Sequence, residues 1–261
     1  MGSATTQALA AGREALTQAT GDPVALGRDL VAARDAIARN AQLTAVLADA
    51  AAAPAAKSAL VDRVFAPLGA PARSVLQRVV EARWSKPGDL LAGLEELGIR
   101  AMAGADGDRI IAELAAFQKA VSADPDLEYA VGSTLVPGSE KAAVVERLLT
   151  GKASAETIAI LTALVSRADG RRIGAMIRRA TTLVADESGR TVAEVHTARP
   201  LDDAQAERLR AAIAGTEQRD VVLTQLVDPT LLGGMRVIVG DRVVDGSVAT
   251  RLNDLRLALA G

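Results

Sequence analysis

The run Asp228-Pro229-Thr230-Leu231-Leu232-Gly233-Gly234-Met235-Arg236-Val237-Ile238-Val239-Gly240-Asp241-Arg242-Val243-Val244-Asp245-Gly246-Ser247-Val248 carries the densest structural information in this sequence. Two β-rich segments, Met235 to Val239 and Arg242 to Val244, flank Gly240-Asp241. A Gly-Asp pair between such segments is a hairpin signal, because glycine takes a positive φ without steric cost. Gly233-Gly234 permits a tight entry into the hairpin. Asp245-Gly246-Ser247 leaves the second strand, and Ser247 is placed to cap a helix. In that final helix Val248, Leu252, Leu255 and Leu259 form one apolar stripe.

Upstream of this run the period is also that of a strand. Thr191 to Thr197 alternates, with Ala193 and Val195 expected on one face and Glu194 and His196 on the other. Asp202 to Ala214 reads as a helix, with Leu209 and Ile213 on its inner face and Asp202-Asp203 complementing the dipole at its start. Asp220 to Leu226 reads as a second strand. The tail, residues 188–261, is therefore predicted as a small α+β unit of order βαβββα.

Before about residue 186 the pattern is helical throughout. Ile110, Ile111, Leu114, Phe117 and Val121 recur at steps of three and four, as do Ile173, Met176, Ile177, Ala180, Leu183 and Val184. Breaks fall at Asp22-Pro23, Pro54, Ala70-Pro71, Pro87-Gly88, Asp124-Pro125 and Pro137-Gly138. The helices between them are short, so their apolar stripes must pack together in a bundle. The bundle repeats itself. Ile37 to Leu43 resembles Val121 to Leu127, and Lys57 to Val64 resembles Lys141 to Leu148, at an offset of about 84. One residue of slippage later, Val75, Leu76, Val79 and Val80 fall on Ile160, Leu161, Leu164 and Val165. The expected organisation is mainly α: a first helical copy in residues 1–105, a second in 106–187, and the α+β tail.

Composition narrows the function. Thirty Lys and Arg against 32 Asp and Glu leave a net charge of −2, with no overall field to attract a phosphate backbone. Nucleic acid is not an expected partner. There is no cysteine, which excludes disulfides and thiolate metal sites and fits a reducing compartment. Trp84 and Tyr129 stand alone of their kind, so stacking platforms for bases or sugars are scarce. No apolar run approaches the roughly 18 residues of a membrane span, and no secretory signal is visible at the N-terminus.

Catalytic constellations are poor. His196 is the only histidine and lies in an apparent strand, and no G-x-S-x-G elbow accompanies it. Gly138-Ser139-Glu140-Lys141 and Gly151-Lys152 lack phosphate-loop spacing. Gly233-Gly234 precedes a strand, whereas a dinucleotide fingerprint must open a helix. Asp106-Gly107-Asp108 and Asp186-Glu187 lack further carboxylates nearby and read as solvated loop acids. Arg171-Arg172 and Arg178-Arg179 read as a solvated helix face, or one that meets acids on a partner. No catalytic residue, cofactor or metal is expected.

The run from Asp228 to Val248, with Gly233, Gly234, Gly240, Asp241, Asp245, Gly246 and Ser247 at its turns, resembles the signature of the ATP synthase delta family, whose mitochondrial counterpart is the oligomycin-sensitivity-conferring protein (OSCP). Asp169-Gly170-Arg171 also resembles the loop before that family's last bundle helix. The chain exceeds typical members by roughly one repeat unit and is similar to the longer actinobacterial forms. The resemblance implies a non-catalytic stator subunit of the F-type, proton-translocating synthase. The helical part would hold alpha subunits of the catalytic head, and the tail would hold b-type stalk subunits. Such a protein meets the bacterial membrane only indirectly, on its cytoplasmic face. On this reading Leu9 and Leu16 of the first helix, with Val75 and Val79, are candidates for the head contact. Leu252, Leu255 and Leu259 are candidates for the stalk contact, unless they dock on their own sheet. A generic helical adaptor that binds other amphipathic helices is the alternative.

Overall fold

The computed structural model describes residues 2–104, 106–167, 171–228, 230–240, 242–248 and 250–252. Asp241, Leu255, Leu259 and the Asp169-Gly170 pair lie outside the described residues.

Eleven helices precede the first strand among the described residues: α1 (Ser3–Gln18), α2 (Pro23–Ala38), α3 (Ala41–Ala48), α4 (Pro54–Val64), α5 (Ala70–Glu81), α6 (Pro87–Met102), α7 (Gly107–Ala123), α8 (Pro125–Gly132), α9 (Gly138–Leu149), α10 (Ala155–Val165) and α11 (Ile173–Glu187). The prolines read as breaks open the helices that follow. Pro23, Pro54, Pro87 and Pro125 are first residues, where a missing N–H loses nothing. Asp22 accepts from the Val24 amide at 2.9 Å, and Asp124 caps α8 through the amides of Asp126 and Leu127.

The duplication is visible in three dimensions. Helix starts at 23, 41, 54, 70 and 87 recur at 107, 125, 138, 155 and 173. Leu47 and Val131 are both fully buried, as are Val61 and Val145. Lys57 and Lys141 are both buried, and each donates from Nζ to a backbone carbonyl at 3.0 Å, of Val80 and Ser133 respectively. The packing repeats as well. Helix α4 lies on α5 as α9 lies on α10, and α2 lies on α6 as α7 lies on α11.

Helix α6 has two roles. It starts 84 residues after α1, and it packs on α10 and α11 as α1 packs on α5 and α6. It is thus the last helix of the first copy and the leading helix of the second. Leu90, Leu94 and Leu97 enter the first core, whereas Ile99 and Met102 enter the second. A helix packed on both sides must be buried all round, and Gly93 through Arg100 are buried without interruption. Small residues allow the close approach of α2. A Cβ on Gly27 would lie 2.5 Å from the Gly98 carbonyl oxygen and 2.3 Å from Met102 Cγ.

The tail forms β1 (Thr191–Thr197), α12 (Asp203–Glu217), β2 (Val221–Val227), β3 (Met235–Val239) and β4 (Arg242–Asp245), with helical backbone again at 248 and 250–252. The sheet order is β2-β1-β3-β4. The pair β1·β2 is parallel, and β1·β3 and β3·β4 are antiparallel. Asp202 and Gln205 form a reciprocal capping box at the start of α12. Helix α12 runs three residues beyond the predicted Ala214 and ends at Gln218, which takes a left-handed φ of 53°.

Ala193 and Val195 are fully buried under α12, on one face as their alternation predicts, and Glu194 and His196 lie on the other, which is covered as well. Helix α11 packs on β1, so Glu194 is buried there and its carboxylate pairs with Arg178 and with His196. Val192 and Val222 join the second helical core from the same face. The sheet is a middle layer between α12 and the bundle.

Candidate interaction surfaces

The signature run is built as a folding device. Gly233 has φ 146° and Gly234 has φ 79°, and a Cβ on Gly234 would lie 2.5 Å from the Gly246 carbonyl oxygen and 2.9 Å from Ser247 Cα. That proximity closes a small ring. Gly246 N–H donates to Met235 O at 2.9 Å, and Val248 N–H donates to Gly233 O at 3.0 Å. Gly240 turns the hairpin with φ 58°. The Asp245 carboxylate accepts from the Ser247 amide at 2.9 Å and from Arg236 Nε at 3.0 Å. The Ser247 contacts, outweighing slight desolvation, and Arg236 with them hold that carboxyl far below its usual range. Ser247 is buried, and its Oγ accepts from the Thr250 amide. Gly233, Gly234, Gly240, Asp245, Gly246 and Ser247 therefore shape one end of the sheet.

That end presents apolar side chains to solvent. Leu232 is 80% exposed, and Val248 and Leu252, in the helical segment after Ser247, are about half exposed. Val243 and Val244 are exposed on the edge strand β4. Leu252 is thus accessible in the described part of its stripe.

In the first copy, Leu9 is buried against α5 and α6, and Val75 and Val79 have essentially no accessible surface. Leu16 is half-buried on the same core. Above them a groove runs between α1 and α5, lined by Ala15, Gln18, Ala19, Pro71, Ser74 and Val75. The buried side chains set the spacing of its walls. Sequence periodicity cannot separate such residues from exposed apolar ones, because wall and core share one stripe.

The basic residues before and on α11 also differ from expectation. Arg171 and Arg172 precede α11 rather than lie on it. Arg171 makes two hydrogen bonds to the Glu95 carboxylate, and Arg179 reaches Glu96. Arg178 holds Glu194. Asp186 and Glu187 are not solvated loop acids. They occupy the last turn of α11 and pair with Arg100, which is only 5% exposed. Sequence reasoning missed most of these pairs because they join distant segments: Glu95 and Arg171 are 76 residues apart, Glu96 and Arg179 are 83, and Arg100 and Glu187 are 87. No group of three or more metal-ligating side chains occurs among the described residues, and no described helix is long and apolar enough to cross a membrane.

The family model for the ATP synthase delta (OSCP) subunit matches residues 100–259, and an ATP synthase subunit delta of Leifsonia xyli subsp. xyli is 48% identical over the full length of both chains. The chain belongs to the ATP synthase delta (OSCP) family. A delta subunit of Streptomyces avermitilis is 39% identical over 98% of each chain, and one of Streptomyces griseus subsp. griseus is 35% identical over 100% of each. The family match begins within α6 and takes in the whole signature run. This delta-family chain therefore carries its first five helices outside the matched region, yet the full-length relatives align across them.

Proposed function

We propose that this chain works as a stator subunit of the proton-translocating F-type ATP synthase, within the peripheral stalk, and does no bond chemistry itself. The observation that carries the reading is full-length relatedness to delta subunits together with the intact signature hairpin. The finer assignment is threefold. Residues 1–105 and 106–187 act as two helical units, and 188–261 as a third. The first unit receives alpha subunits at the α1/α5 groove, with Leu9, Leu16, Val75 and Val79 shaping its floor and walls. The third unit receives b-type subunits at the apolar end of the sheet, with Leu252 in contact and Leu255 and Leu259 extending the stripe.

A stator must resist torque and dissociate slowly. Two moderate interfaces in series on one rigid body meet that need through avidity. The complex would sit on the cytoplasmic face of the bacterial membrane, with this chain held there by its partners. In binding assays with purified subunits, Leu232→Asp and Leu252→Asp should lose b-type capture, keep alpha capture and keep wild-type thermal stability. Synthase that retains full proton-coupled synthesis after removal of this chain would overturn the reading.

A further inference from the structure

The carboxylate of Asp186 stands where the three parts of the chain meet. Arg13 of α1 approaches Oδ2 at 3.3 Å, Arg100 of α6 approaches the same oxygen at 2.8 Å, and Arg219, on the turn between α12 and β2, approaches Oδ1 at 3.4 Å. These arms come from the first copy, the helix shared by both copies, and the α+β tail. We propose that Asp186 is a positioning residue that locks the relative orientation of the two helical copies and the C-terminal sheet domain.

Its location argues against a merely local role. Asp186 and Glu187 occupy the last turn of α11, where the helix dipole disfavours negative charge. An acid there contradicts the local rule and needs compensation from elsewhere. Arg100 provides it from a buried position, held in place by Glu96 at 3.0 Å and Glu187 at 3.1 Å. Partial burial pushes the Asp186 carboxyl up, and Arg100, Arg13 and Arg219 override that and hold it below the usual range.

Isolated surface pairs contribute little, because two long side chains must be ordered for one contact. Here Arg100 is already ordered by its other partners, so each outer arginine orders only itself. Arg219 is further restrained by its Nε donating to the Gly189 carbonyl at 3.2 Å, at the turn that joins α11 to β1. The lock is thus anchored on the connection between the bundle and the sheet.

The absence of cysteine makes the test clean, since spin labels can be placed on introduced cysteines alone. In the full chain, labels at the exposed positions Ala10, Ala120 and Ala212 report the first copy, the second copy and the tail. Pulsed dipolar distances should broaden between Ala10 and Ala212 in Asp186→Asn. A control pair, Ala10 with Ala59 inside the first copy, should keep its wild-type distribution. Arg13→Gln should broaden Ala10–Ala120 and leave Ala120–Ala212 alone, and Arg219→Gln should do the reverse. These two replacements lie at exposed side chains, so they test the lock even where Asp186→Asn fails to fold. Distributions in all three variants that coincide with wild type overturn the proposal. Its relevance to torque rests on the stator reading, whereas the distances are measured on the isolated chain and stand or fall without it.

Discussion

Replacing Gly234 by alanine should selectively loosen the signature hairpin. Two effects add. At φ 79° a side chain meets the backbone, a left-handed conformation that costs an L-residue about 1–2 kcal/mol. The new Cβ would also lie 2.5 Å from Gly246 O and 2.9 Å from Ser247 Cα. Both are backbone atoms, so no rotamer change relieves the contact, and forced displacement of this kind costs about 1–3 kcal/mol. Their sum, roughly 2–5 kcal/mol, falls on the strand crossing tied by Gly246 N–H to Met235 O. Residue-resolved hydrogen exchange is the appropriate assay, because the perturbation is local. Amides of β3 and β4 should lose protection by a factor of about 30 or more, at roughly 1.4 kcal/mol per tenfold, while those of α7 to α11 keep theirs. Gly215→Ala is the control. It lies inside α12 with no atom near its Cβ, and should be neutral or stabilising by about 0.5–1 kcal/mol. Wild-type exchange in β3 and β4 of the Gly234 variant would refute the steric argument.

Two further outcomes follow from buried polar groups. Burial pushes the Glu113 carboxyl up, but hydrogen bonds from Ser154 and Thr157, with Arg109, hold it at about 2 against an ordinary 4.5. A depressed carboxyl stabilises the fold fully above its unfolded value and loses that contribution as pH falls through the folded one. Acid titration of stability between about pH 4.5 and 2 should therefore be shallower in Glu113→Gln. Lys57→Met and Lys141→Met should each lose about 1–3 kcal/mol in urea melts, since the Val80 and Ser133 carbonyls lose their Nζ donors. The exposed Lys119→Met should stay within about 0.5 kcal/mol of wild type.

Much of this architecture was legible where chemistry is local. Proline at a helix start, Asp before it and glycine at the hairpin turn each act within four residues, and Pro23, Asp22 and Gly240 sit as their stereochemistry demands. The repeat was legible because Lys57 and Lys141 carry the same odd requirement, a buried amine on a backbone carbonyl. What could not be read were features decided by distant partners. Glu194 has the alternation of a solvent-facing residue and becomes buried only because α11 arrives to cover it. Leu9, Val75 and Val79 show a helix stripe whose depth depends on which neighbour closes over it. Asp186 and Glu187 look like loop acids until Arg100 from another helix accounts for them.

The shared helix gives the duplication its mechanical meaning. Two bundles joined by a linker would unfold separately and swing about the joint. With α6 supplying Leu94 to one core and Met102 to the other, displacing that helix would open both cores. Hydrogen exchange can see this directly. The amides of Val61 and Val145, one buried in each copy, should report the same opening free energy. Gly27→Ala drives a Cβ to 2.5 Å from the Gly98 carbonyl and pushes α2 off α6. The expected loss is about 1–3 kcal/mol, and it should appear equally at both probes although Gly27 belongs to the first copy. A loss confined to Val61 would mean that the copies open independently. The stiffness between the copies would then rest on contacts outside the shared helix, such as those of Asp186, or on partners.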